Sequence, residues 1–211
     1  MTDMQAIETH YAGYRFRSRL EARWAVLFDA AEIEWQYEPQ GYLVDVAGLK
    51  RPYLPDFWLP GVRSGIWCEV KGSPEGLDVP LLAYAAHPEH GLPADLSGSR
   101  SHLRKAHRLL ILGPIPDQGS PLVTPLHCCL TWDATHPATT GVYAEAALFA
   151  GGALLGTDLT GPVLGEDGTL YADKQYLWEK ICGGIGVAHM RPLYEIARKA
   201  RFEHGERPDA A

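Results

Sequence analysis

Three side chains have the types and spacing for metal-dependent phosphoryl chemistry: Asp56, Glu69 and Lys71. Asp56 sits in the apolar segment Tyr53–Leu59 and Glu69 and Lys71 in a second one, Ile66–Lys71. Pro60-Gly61 and Ser64-Gly65 break the chain between them. Side chains alternate faces along a strand, so Glu69 and Lys71 share one side and Val70 takes the other. If the segments pair as a hairpin, Asp56 approaches Glu69, and two oxygen donors and an ammonium converge. Hard divalent cations take oxygen donors of this kind, and phosphoryl transfer uses such a cation beside a positioned water.

Each of these residues also has an ordinary role open to it. An Asp after Pro at a strand edge is often a turn acid, and Glu-x-Lys on an exposed strand is often a solvated pair. Against this, Asp56 and Glu69 stand among Tyr53, Phe57, Trp58, Trp67 and Val70, where charge for its own sake is uncommon. Glu21 follows Ser18 by three residues, the spacing of a capping box. His87-Pro88-Glu89-His90 invites a zinc reading, but Pro88 disfavours a helical start and no Cys or His lies nearby at zinc spacing. Cys68, Cys128, Cys129 and Cys182 form no CxxC pattern and are read as reduced thiols.

These residues need a helix and a set of strands to position them. Leu20, Trp24, Leu27, Phe28 and Ala31 recur at helical spacing, which predicts a helix from about Arg19 to Ala31 capped by Ser18. Short strands are predicted over residues 34–39, 41–46, 53–59 and 66–71, with Gly48 and Lys50-Arg51-Pro52 turning into the third. A short helix is expected from Val79 to Ala86, a basic helix from Ser99 to Arg108, and a buried strand from Leu109 to Leu112. Beyond, a strand lies within 121–130, helix and strand compete over 143–155, and 161–169 reads as turn. Helices are expected over 174–181 and from about Pro192 to His204, with Pro192 in a first turn. Residues 1–13 read as a loose lead-in and the last seven as a frayed tail.

With 211 residues and 46 % hydrophobic content the chain can bury a sizeable core. The net charge of −7 argues against a non-specific nucleic-acid coat protein, though not against an enzyme with a local basic path. No apolar run is long enough to span a membrane and the N-terminus lacks an apolar signal core, so a cytoplasmic, membrane-free protein is expected.

Helix-Glu, Pro-Asp at a strand, Glu-x-Lys on the next strand, then helix and strand: this order resembles the PD-(D/E)XK superfamily of metal-dependent nucleases. The residues that carry it are Glu21, Pro55-Asp56 and Glu69-Val70-Lys71, within roughly residues 14–115. The resemblance implies an α/β fold with a restriction-endonuclease-like core: a helix, a central mixed sheet, and a flanking helix and strand. That core would occupy residues 1–118, with a C-terminal extension over 119–211. It implies Mg2+, with Mn2+ able to substitute, held by Asp56, Glu69 and the Val70 carbonyl. Lys71 would orient or help deprotonate the attacking water, and Glu21 would place a water or second metal. The activity implied is hydrolysis of DNA phosphodiester bonds, with RNA left open, by a stand-alone chain of the sort encoded by phages and bacteria. Arg100, Arg104 and Lys105, then Arg17, Arg19 and Arg23, are the candidate phosphate contacts; Arg15 and the Arg198-Lys199-Arg201 face follow. Two other readings stand beside it: a catalytically silent nucleic-acid-binding or assembly module of the same fold, and a nuclease subunit active only in a complex. In the latter, as in a homodimer, the C-terminal part would hold the partner.

Overall fold

A computed structural model describes residues 8–62, 65–87, 90–93, 109–117, 126–131, 141–148, 151, 154–164, 169–183 and 190–202. The fold is mixed α/β. Its centre is a seven-stranded sheet in the order β11-β10-β9-β8-β7-β6-β3. The strands are β3 (Gln36–Tyr37), β6 (Phe57–Leu59), β7 (Ile66–Val70), β8 (Leu109–Leu112), β9 (Leu126–Thr131), β10 (Gly141–Leu148) and β11 (Leu154–Leu164). Only β7 and β8 run parallel; every other neighbouring pair is antiparallel. Among the described residues there are also two separate hairpins: β1 (Thr9–Tyr11) with β2 (Tyr14–Phe16), and β4 (Tyr42–Val46) with β5 (Leu49–Tyr53).

Strands β7 and β8 are buried on both faces, as a parallel pair covered on each side requires. Alternation divides their side chains. Ile66, Cys68, Val70, Leu110 and Leu112 enter one core with helix α1 (Arg19–Ala30) and helix α4 (Arg191–Lys199). Trp67, Leu109 and Ile111 enter the other, with helix α2 (Val79–Ala85), helix α3 (Lys174–Gly183) and the β4–β5 hairpin. The sheet is thus the middle layer of three. Ser18 caps α1 as expected, its Oγ accepting from the Glu21 N–H at 3.2 Å. Asp78 caps α2, accepting from the Leu81 N–H at 3.2 Å.

Several local expectations are corrected. The lead-in is not loose from Thr9 on: Ala12 and Gly13 take φ of 48° and 85°, and turn β1 into β2. Lys50-Arg51-Pro52 is strand, not turn; the reversal falls at Ala47-Gly48, also at positive φ. Pro52 is tolerated because this two-stranded ribbon has an open edge. Residues 53–59 are not one strand: Tyr53 closes β5, and Leu54 to Asp56, with Pro55 lacking an N–H, separate it from β6. The strand expected over 34–39 is only Gln36–Tyr37, ended by Glu38 at φ 42°. The competition over 143–155 resolves as strand within β10 and β11, and β11 continues to Leu164 through the stretch read as turn. Partners decide this: β10 pairs β9 on one side and β11 on the other. The position after residue 118 falls between β8 and β9, which pair in the same sheet. The expected basic helix over 99–108 lies outside the described residues.

Candidate active site

Strand β6 enters the sheet where β7 leaves it, with Phe57 opposite Cys68. One step further along the same register, Asp56 comes opposite Glu69. Both acids are buried, Asp56 at 3 % and Glu69 at 5 % exposure. Asp56 is held by main chain as well as side chain: its Oδ2 accepts from the Val70 N–H at 2.7 Å, and its carbonyl accepts from the Glu38 N–H at 2.9 Å. Its Oδ1 accepts from Arg17 Nη2 at 2.7 Å. Glu69 Oε2 accepts from the Tyr53 hydroxyl at 2.7 Å, and Oε1 forms an ion pair with Lys71 Nζ. Glu69 and Lys71 therefore do share one side of the strand, as their spacing requires.

Glu21 arrives from α1. Its Oε2 accepts from the Tyr37 hydroxyl at 2.6 Å and from the Arg17 N–H at 3.2 Å, and its Oε1 accepts from Ser18 Oγ at 2.7 Å. The capping-box reading and the site reading thus meet in one residue. Its carboxylate stitches the α1 N-terminus to β3, which neighbours β6 in the sheet.

The electrostatics are those of acids crowded together out of water. Burial, and then the Glu69 carboxylate, push the Asp56 carboxyl well above the usual carboxylate range, against the pull of Lys71. Burial works against the Lys71 charge, yet Glu69 and Asp56 hold its ammonium above the ordinary lysine value. Lys71 donates as an ammonium to Glu69. Burial, followed by Glu69, likewise raises the Tyr53 hydroxyl, which stays protonated and donating.

The donor set suits a hard cation. The Glu69 carboxylate adds to the cost of ionising buried Asp56, and a divalent ion held by both would offset that cost. Among the described residues no group of three His, Cys, Asp or Glu side chains is placed to hold a metal. Mg2+ commonly takes one or two carboxylates and keeps several waters, so Asp56 and Glu69 suffice as protein carboxylate ligands. Each Glu21 oxygen already accepts a hydrogen bond, as do those of Asp56 and Glu69, so a metal would displace a donor from whichever acid it takes.

No protein-family model, curated protein or solved structure matches this chain. The acid cluster therefore rests on its own geometry.

Of the cationic candidates, Arg17 reaches the acids, on Asp56. Arg19 and Arg23 lie half-buried on α1. Arg100, Arg104 and Lys105 lie outside the described residues. On the α4 side, Arg198 donates to the Pro116 carbonyl and Lys199 pairs with Glu195 at 3.7 Å. His87 and His90 stack on each other at 4.6 Å. A cleft of about 560 Å³ bounded by Asp29, Glu32, Glu34, Trp35 and Pro60 includes none of the acid-set residues, and its acids suit no phosphate. The residues that motif reading missed are Tyr37, Tyr53 and Glu38. A tyrosine inside an apolar strand shows no sign, in sequence, of which carboxylate it will meet.

Proposed function

We propose that this chain is a Mg2+-dependent nuclease that hydrolyses phosphodiester bonds in DNA, with a restriction-endonuclease-like core of the PD-(D/E)XK kind. One observation carries the reading: Asp56, just before β6 and bonded to the Val70 N–H, and Glu69 on β7 are buried together at the same end of the hairpin, with Lys71 paired to Glu69. Solvated turn acids would not be desolvated together at 3 % and 5 % exposure. Asp56 and Glu69 would hold the metal, which supplies Lewis-acid stabilisation and a water of lowered pKa. The Val70 carbonyl is proposed as a further ligand. Tyr53 fixes the Glu69 carboxylate. Lys71, as an ammonium, offsets negative charge developing on the phosphoryl oxygens. Glu21 keeps α1 seated against the strand end, and so holds Arg17 beside Asp56.

The Arg17–Asp56 pair favours a second reading, the catalytically silent binding module, because a protein cation already sits on the acid. One experiment separates the two. Supercoiled, linear and branched DNA are incubated with the purified protein and Mg2+ or Mn2+, beside Asp56→Ala and Lys71→Ala. Cleavage by the wild type alone supports the nuclease. Cleavage that survives both substitutions overturns it, and no cleavage of DNA, or of RNA assayed beside it, leaves the silent module or a subunit active only in a complex.

A further inference from the structure

Arg17 occupies the oxygen of Asp56 that a metal would need. Asp56 Oδ2 is committed to the Val70 N–H, which leaves Oδ1 to face outward, and Arg17 Nη2 stands 2.7 Å from it. The Arg17 Nε is 2.6 Å from Glu38 Oε1. The guanidinium is not a strut of the core. Its side chain is 56 % exposed where that of Asp56 is 4 %, so it caps the buried acid from the solvent side. Its main chain is fixed: the Arg17 N–H donates to Glu21 Oε2 at 3.2 Å and to the Tyr37 hydroxyl at 3.1 Å, and the next residue caps α1. A rigid pivot therefore carries a long side chain whose charged end lies at the mouth of the acid pair. A guanidinium that grips a carboxylate is equally matched to a phosphate.

We propose that Arg17 is an exchangeable cation: it holds Asp56 in the metal-free protein, yields Oδ1 to a divalent metal, and then takes a phosphate oxygen of bound nucleic acid. The inference rests on the nuclease reading and adds to it. The exchange keeps charge nearly balanced at each stage. Asp56 never faces Glu69 without a cation, and the displaced guanidinium meets the anion that arrives with the substrate. Metal and nucleic acid then bind cooperatively, because the phosphate rewards the Arg17 movement that the metal requires.

The test measures binding, separately from cleavage. Mg2+ is titrated calorimetrically at pH 8 into wild type, Arg17→Met and Arg17→Lys, each verified as folded by its thermal melt. Arg17→Met should bind Mg2+ about tenfold more tightly, since a competing, partly solvated ion pair is gone. Arg17→Lys should fall between. With Ca2+ replacing Mg2+, Arg17→Met should bind a DNA duplex about tenfold more weakly, with the salt dependence reduced by about one counterion. Damage to the fold would weaken metal binding, so a tighter metal is a signature that a merely structural role would not give. Equal or weaker Mg2+ affinity in Arg17→Met, with the wild type still binding Mg2+, overturns the exchange and leaves the nuclease reading standing. Folded proteins that all fail to bind Mg2+ overturn both.

Discussion

At the scale of single residues, the site is a problem of burying acids. Asp56 ionises reluctantly because water is excluded and Glu69 is near. A carboxyl raised on folding makes the folded state hold a proton that the unfolded chain has lost. Its contribution to stability is therefore complete below the ordinary value of 3.8 and is lost as pH rises through the raised one. In metal-free protein, Asp56→Asn should gain stability relative to wild type as pH rises, and Mg2+ should narrow that gap; melts at a series of pH values check this. Tyr53→Phe deletes one hydroxyl and leaves Glu69 buried with a partner missing. The expected loss is about 1–3 kcal/mol of stability and about tenfold in cleavage, measured by denaturant titration and by initial rates. Retained full activity in Tyr53→Phe would remove Tyr53 from the positioning set. Lys71→Met should keep Mg2+ binding within a few-fold and lower cleavage by about a hundredfold or more, since the ammonium acts on developing charge.

At the scale of elements, two contacts decide whether the acids are held in place. The β6–β7 connection closes on Gly65, at φ 105°, where an added Cβ would stand 2.0 Å from the Trp58 ring. Trp58 in turn lies against Trp67 at 4.6 Å across the hairpin. Gly65→Ala should cost about 3 kcal/mol through strain and overpacking, and should disturb Asp56 with it; a melt and near-ultraviolet dichroism would show both. Strand β9 is tied to α4 by His127 Nε2 and the Tyr194 hydroxyl, 3.0 Å apart and buried beside Trp24. Burial pushes the His127 imidazole down to about 4. The unfolded chain takes a proton near 6.5 that the fold refuses, so stability is lost as pH falls from 6.5 towards 4. With one pKa unit worth about 1.4 kcal/mol, the loss is on the order of 3 kcal/mol. The double variant His127→Phe/Tyr194→Phe should flatten that acid limb, and an unchanged limb would assign it to other groups.

At the scale of the molecule, the acid pair depends on parts of the chain far from it. Cys129, Met190, Tyr194 and Ala197 complete the core under α1, and Cys128, Leu130, Leu177 and Ile181 complete the one under α2. Strand β8 is an interior strand of the sheet because β9 pairs along its outer edge. A chain ending after residue 118 should show no cooperative melt and should aggregate through β8; a sharp transition in that fragment would show that the first part folds alone. Among the described residues no helix is long and apolar enough to cross a membrane.

Much of this protein is legible locally. The cap at Ser18, the helical stripe of Leu20 to Ala31, the buried run Leu109–Leu112 and the shared side of Glu69 and Lys71 all follow from dihedral periodicity within a few residues. Local rules carry no information on partners distant in the chain. The Arg17–Asp56 contact spans 39 residues and that of Tyr53 with Glu69 spans 16. The Ala- and Gly-containing stretch from Gly141 to Leu164 has weak preference of its own and becomes two strands because β9 offers an edge to pair with. Side-chain chemistry and alternation supply the acids and the lysine. Packing decides that the acids are buried, that Tyr37 and Tyr53 hold Glu21 and Glu69, and that an arginine sits on Asp56.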